Sequence, residues 1–531
     1  MKRLILILMA ALLLLSGCQK NGDDIVASET AVVYGGVLNL SMGFAETLNP
    51  LLVKDETVRD GLFAVYEPLI AVTGEQELKP VLADSWSFND NCTSLTVRLK
   101  PGVLWHDGSA FTARDVVYSV NTIKSHKDSP YYQLLRYVSA AAEVDDYTVN
   151  FILTRSYSQL AYSLYFPIIS VSAGDLTSSA IGTGPFMFES YSQGRDLNLI
   201  RFDGYREGAA GFDKVAFSVV RENITAATAF STGVTNAVQG GILDRDEFAV
   251  HDRFDVRRAC GADFEYIGLN HHRPVFSSAT VRSALSSAIN REEIISDGYG
   301  VMATAANLPF HPLSLSFAPS KTLTDFNIAA ARESLFYDGW TDSSGDGVLS
   351  KEFVDYSHVD EEGDVAEGRA RDVRLEFSLL VNRENPRRVL AANIISSQLE
   401  EAGFRVRVQE VSFETYLERI KSGDFDAYIG GTEMGNLYDA EFLLSSKGEQ
   451  NYFGYSADYM DKALEELSAA YGESFDSACA VLQEVFVRDQ PIVGLVFLDE
   501  SLILAKNIAG GTTAQFHSPF GNVGKWFYIE E

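Results

Sequence analysis

Between residues 373 and 430 the chain alternates in a way that few folds can absorb. The run 373–381 has the period-two pattern of a strand, and Asn385-Pro386 then supplies a cap and a first-turn proline for a helix. Ala391, Ile395, Leu399 and Ala402 share one face of that helix, and Gly403 marks its stop. Phe404, Val406 and Val408 alternate as a second strand, Ser412 to Lys421 form a second helix ended by Gly423, and Phe425 to Ile429 form a third strand. Strand, helix, strand, helix, strand requires crossover connections, so an α/β domain with a partly parallel sheet is predicted.

Other segments carry the same grammar. Gly36 to Leu40, Ser94 to Lys100 and 195–201 alternate as strands, and Ile181 to Phe186 mark a backbone corner leading into another. Residues 278–295 are predicted as one helix, capped by Ser278, with Val281, Leu285, Ala288 and Ile289 on one face. His106, Asp107 and Ser109 lie together in WHDGSAFTARDVVYS, where a base, an acid and a nucleophile are all present on paper. The local pattern explains them differently. Val103 to Trp105 give a short strand, Asp107-Gly108 a turn, and Thr112 with Asp115 a capping box opening a helix whose Val116, Val117 and Val120 are apolar.

The N-terminus decides the compartment. Lys2 and Arg3 precede an uninterrupted apolar run from Leu4 to Leu15, too short to span a bilayer, which needs about 20 apolar residues. Leu15-Ser16-Gly17-Cys18 resembles the bacterial lipoprotein signal, which implies that 1–17 are removed and that lipid is attached at Cys18. Residues 18–33 then read as a flexible tether on the outer side of the cell membrane. A chain with 43 basic and 73 acidic residues and a net charge of −30 is a poor partner for nucleic acid and attracts cations. Cys92, Cys260 and Cys479 show no metal-binding spacing and read as buried thiols, although one disulfide stays open in an oxidising compartment. No cofactor or metal motif occurs; the histidines are scattered, and Asp342 to Val348 half-match a calcium loop but put Phe353 where the glutamate belongs, which favours a plain turn.

A set of short motifs carries a resemblance over nearly all of 35–530. They are Tyr66-Glu67-Pro68-Leu69, Leu82-Ala83-Asp84-Ser85-Trp86, Trp105-His106-Asp107-Gly108, Phe111-Thr112-Ala113, Gly182-Thr183-Gly184-Pro185-Phe186, Ala288-Ile289-Asn290-Arg291 and Gly423-Asp424-Phe425-Asp426. Together they resemble the family 5 extracellular solute-binding proteins of ABC transporters, which take oligopeptides, dipeptides or nickel. The resemblance implies an α/β, two-lobed clamshell of the periplasmic-binding type (type II) with an extra subdomain on the first lobe. Transferred to this numbering, lobe I is 34–66, 181–268 and 495–531, its subdomain 67–180, and lobe II 269–494. It further implies a monomer that performs no covalent chemistry and presents its solute to an ABC permease.

The expected solute is a short peptide, with the loop after the strand at 425–429 as the place where its amino terminus is read. Thr432 stands where peptide binders commonly have Trp, and Gly435 near the expected acid, so Glu433 or Asp439 becomes the candidate cation partner. Asn436 and Tyr438 are candidates for bonding a peptide backbone or a sugar. Phe44, Glu46 and Asn49 are the candidates on the first lobe, and His311, between Phe310 and Pro312, is a candidate near an inter-lobe crossing. A nickel chelate, a sugar, or a peptide signal reported to a membrane sensor are the alternatives. The rival class, a secreted hydrolase, finds no G-x-S-x-G elbow.

Overall fold

The alternating segments form strands, and each buries the face its sequence marks. The computed structural model describes residues 32–74, 77–220, 223–240, 254–300, 302–310, 312, 326–355, 369–434, 438–511 and 520–530. In the strand Ser94–Leu99, Leu95, Val97 and Leu99 are buried while Arg98 is exposed. It lies in a four-stranded antiparallel sheet ordered 83–88, 94–99, 148–153, 138–145, the subdomain sheet. Val37–Met42 pairs in parallel with Lys214–Val219, and Asp196–Arg201 and Phe186–Ser192 complete the first lobe's sheet. Val32–Val33, read from sequence as the end of the tether, instead pair with Tyr528 and Ile529. Among the described residues no helix is long and apolar enough to cross a membrane, and Cys92 and Cys479 are buried free thiols.

The 373–430 alternation folds as a parallel unit. Glu376–Asn382 pairs in parallel with both Arg405–Val411 and Ala427–Glu433. Asn385 caps the first helix, Pro386–Glu401, by accepting from the Arg388 amide; Ser412 does the same for Phe413–Ser422, which ends at Gly423 with φ 74°. Three expectations need correction. The strand at 373–381 divides at Leu375, whose buried side chain turns the chain from a hairpin of Arg369–Arg374 with Ser350–Asp355 into the main sheet. The helix at 278–295 stops at Ser287 and restarts after Asn290, because Asn290 caps a new turn and the buried Arg291 guanidinium donates to the Gly494 and Ser286 carbonyls. Residues 103–105 form only an isolated bridge, Leu104 to Ala110, around the Asp107-Gly108 turn.

Two long strands join the lobes. Phe254–Leu269 and Ile492–Ala505 pair antiparallel and lie in a seven-stranded sheet with 237–240 on one side and 427–433, 376–382 and 405–411 on the other. Leu502 and Leu504 pack into the core that contains Leu38 to Ala237, whereas Val493, Leu495 and Val496 pack into the core of the second lobe. The second strand therefore runs from one core into the other, and the first runs from the small cluster of Ala227, Phe230, Val238 and Ile503, on which Phe254 and Val256 pack, to Ile267 and Leu269 in the second core. Their ladder breaks between Cys260 and Phe264, at the point where they cross.

The subdomain is fastened to the first lobe by the residues of the signature motifs. Glu67 is buried and accepts from both terminal nitrogens of Arg206 at 2.5 and 2.8 Å, from Tyr205 at 2.8 Å and from Thr183 at 2.9 Å. Gly182 and Gly184 are required by close approach, since a Cβ at Gly182 would lie 1.8 Å from the Val65 carbonyl oxygen. His106 accepts from the Gly182 amide through Nδ1 and so carries its proton on Nε2, 2.9 Å from the Gly184 oxygen. Asp115 does more than cap: it accepts from the amides of Thr112 and Val171, each at 2.9 Å. Nothing in this arrangement serves a nucleophile; Ser109 and Asp107 bond to each other within the turn.

Burial pushes the His106 imidazole down to about 4 from its ordinary 6.5. The folded state then keeps it neutral while the unfolded chain protonates below about pH 6.5, so its contribution is full above that pH and is lost as pH falls towards 4. The stability advantage of the wild type over His106→Gln, measured by urea unfolding, is expected to shrink across that window by about 1.4 kcal/mol per pH unit at most. A gap that stays constant from pH 7 to 4.5 contradicts the neutral-imidazole assignment.

Candidate functional site

At the break in the crossing ladder a cavity of about 280 Å³ opens between the lobes. The helix Glu56–Leu62 brings Glu56, Arg59 and Asp60 to it, followed by Phe63; the subdomain contributes Pro130, Tyr131 and Tyr165. Ala262 and Asp263 come from the first crossing strand, Glu500 from the second, and Glu433 from the end of Ala427–Glu433, where its register partner is Asp263. All three parts of the molecule thus contribute to one wall. The volume lies just below the range of about 300–1,000 Å³ typical of small-molecule sites.

The charge in this space is one-sided. Five carboxylates face one guanidinium, that of Arg59, whose Nη1 donates to the Lys54 carbonyl at 2.8 Å. Desolvation, reinforced by Glu56, Asp263 and Glu433, pushes Glu500 up to about 8. Glu433 and Asp263 are raised for the same first reason, with Glu433 feeling Asp263 and Glu56, and Asp263 feeling Glu265 and Glu56. Strand alternation separates Glu500 from its neighbour: Asp499 points to the other face, where it pairs with Arg258 and accepts from Thr304 at 3.0 Å.

A second cavity, about 320 Å³, is lined only by residues within 34–81, 165–211 and 521–527, including Glu67 and Tyr66. A solute there would touch nothing of the second lobe, so it could not bias closure. The inter-lobe cavity is the candidate site.

Of the residues singled out in the sequence, Glu433 lies in the cavity wall. Asp439 is buried and already holds a cation: it pairs with Arg136 and accepts from Tyr157 at 2.9 Å. That ion pair, with Arg155 to Glu441 at 2.7 Å, ties the subdomain to the second lobe. Tyr438 is buried between Tyr162 and Phe475, each 5.0 Å away between ring centroids. Phe44, Glu46 and Asn49 do not line the cavity; Asn49 spends its side-chain oxygen on the Leu51 amide at 3.0 Å, and Phe44 and Glu46 are exposed. The next element, the helix Glu56–Leu62, supplies the first-lobe contacts instead. Cys18, His311 and Asn436 lie outside the described residues. The turn at 342–347 uses its own acids: Asp342 accepts from the amides of Gly345, Asp346 and Gly347, and Asp346 pairs with Arg374 at 2.5 Å.

Sequence reasoning missed Asp263 and Glu500. The signal was there, a charge inside an otherwise apolar strand, as in IVGLVFLDESLILA. Glu265 shows the same signal but is resolved internally, through Arg388 at 2.5 to 3.0 Å.

The model for bacterial extracellular solute-binding proteins, family 5 Middle, matches residues 77–454. The oligopeptide-binding protein AppA of Bacillus subtilis is 25% identical over 96% of this chain and 95% of its own. The glutathione-binding protein GsiB of Pectobacterium atrosepticum is 27% identical over 58% of this chain and 62% of its own. Among solved structures, the ABC transporter substrate-binding protein CtaP of Listeria monocytogenes superposes with a TM-score of 0.75 at 24% identity, covering 94% of this chain and 100% of that one.

The two acids of the 433–439 loop separate in a direct test. Asp439→Asn removes the charge that balances the buried Arg136 and is expected to cost about 3 kcal/mol of stability. Glu433→Gln relieves repulsion and is expected to leave the melting temperature of the ligand-free protein unchanged or higher. Equal losses in the two variants by calorimetry refute this division of roles.

Proposed function

The chain belongs to the bacterial extracellular solute-binding proteins of family 5, and on that membership we propose that it captures a short peptide between its lobes and delivers it to the permease of an ABC importer. The observation that carries the reading is the cavity at the crossing strands, with walls from first lobe, subdomain and second lobe. A solute that touches all three favours the closed form by its differential affinity, and closure is the signal a permease can read. Glu433 is the group assigned to the peptide's amino terminus, because a carboxylate in a partly desolvated cleft forms a strong charge-assisted bond with an ammonium. Asp439 is withdrawn from that role by Arg136. AppA of Bacillus subtilis, named for oligopeptides and matched over nearly its whole length, supports the choice of peptide.

The leader completes the picture. With 1–17 removed and Cys18 lipidated, residues 19–31 would tether the folded body to the outer face of the membrane, within reach of the permease. The proposed division is lobe I (34–66, 181–268, 495–531), subdomain (67–180) and lobe II (269–494), with Ile267, Leu495 and Val496 at its boundaries packing into the second lobe's core.

Purified protein is to be melted with a panel of two- to five-residue peptides. At about 100 times Kd a bound peptide adds about 2.7 kcal/mol, a rise of several degrees, and N-acetylation of the same peptide is expected to weaken binding at least tenfold. A panel in which no peptide raises the melting temperature, while a sugar or nickel chelate does, refutes the peptide reading. Cys18→Ser is expected to release the protein into the medium or periplasm; retention of that variant in the membrane fraction refutes the anchor.

A further inference from the structure

Among the described residues, several buried carboxylates each face a guanidinium. Glu67 faces Arg206, Glu265 faces Arg388, Asp439 faces Arg136 and Asp499 faces Arg258. Glu500 is part-buried, makes no hydrogen bond or ion pair among the described residues, and lines the inter-lobe cavity. Around it stand Glu56 and Asp60 from the helix Glu56–Leu62, Asp263 from the first crossing strand and Glu433 beside it; among the described residues Arg59 is the one basic group lining the space. Bringing like charges together in a desolvated space opposes folding. A positively charged solute relieves that repulsion.

The form of that charge can be narrowed. Among the described residues no three His, Cys, Asp or Glu side chains converge closely enough to hold a metal ion. The carboxylates share the lining of the cavity with the aromatic residues Phe63, Tyr131 and Tyr165. Ring faces accept cations, and apolar walls accept the methylene stems that carry them.

We propose that the solute carries at least two positive charges on one flexible organic skeleton, and that Asp263, Glu433 and Glu500 read them. A peptide with a basic side chain and a di- or polyamine share this chemistry. The proposal rests on the assignment of the inter-lobe cavity as the solute site, and it sharpens the class of peptide. Because Glu500 is pushed up to about 8, it is largely protonated in the empty cleft at neutral pH. An arriving cation draws it into the charged form, so binding releases about one proton.

The test is titration calorimetry of the full mature chain at pH 7 with Ala-Ala, Lys-Ala, Lys-Lys and spermidine, in two buffers of different ionisation enthalpy. Lys-Lys or spermidine is expected to bind at least tenfold more tightly than Ala-Ala, with proton release, and the preference to fall with added salt. Glu500→Gln is expected to cut that preference at least tenfold. The substitution removes a repelling charge, so the variant melts no lower than wild type at pH 8; should it misfold, Asp263→Asn and Glu433→Gln carry the same readout. If Ala-Ala binds as tightly as Lys-Lys, the charge proposal is overturned and the peptide reading stands. If spermidine binds and no dipeptide does, the charge proposal stands and the peptide reading falls. Binding of none of the four, or a preference unchanged in all three variants, overturns the proposal.

Discussion

The break in the ladder between the two crossing strands is the constraint on which the rest of the molecule turns. Pairing runs in register from Phe254 opposite Ala505 to Cys260 opposite Asp499, then resumes at Phe264 opposite Phe497. Residues 261–263 face the single residue 498, an irregularity that bends a strand and re-aims its side chains. The same few residues therefore set where the lobes meet, allow a bend between two cores, and turn Asp263 and Glu500 into the space between them.

That geometry has an electrostatic consequence. Among the described residues the cavity is lined by five carboxylates and one guanidinium, while subdomain and second lobe are tied by Arg136 to Asp439 and Arg155 to Glu441. These ties are paired internally, whereas the acids lining the cavity outnumber its one described guanidinium. Such a site is less stable empty than filled, which is what a receptor needs if occupancy is to bias its conformation. The unfavourable term is localised where the ligand can remove it.

The motifs that make the family recognisable do a different job. Glu67, His106, Gly182, Thr183 and Gly184 all meet at the junction of subdomain and first lobe, where they hold one backbone against another. They mark the architecture because close backbone approach tolerates few residue types. They say little about the solute, since the described lining of the inter-lobe cavity lies outside them.

What the sequence determined by itself is whatever depends on near neighbours along the chain. The buried face of Ser94–Leu99, the caps at Asn385 and Ser412, the stop at Gly423 and the parallel unit they build follow from periodicity and local hydrogen bonding, and they were legible. Where a longer-range contact intervened, as at Arg291 beneath the Gly494 carbonyl, the reading of one continuous helix failed. The site was legible only at Glu433. Between Glu433 and Asp439, two acids six residues apart in one loop, no local property chooses; Arg136, 303 residues before Asp439, made the choice by occupying one of them. Asp263, Glu433 and Glu500 come together because three strands pair in a particular register, and register is a property of the folded sheet, set by packing on both sides of it.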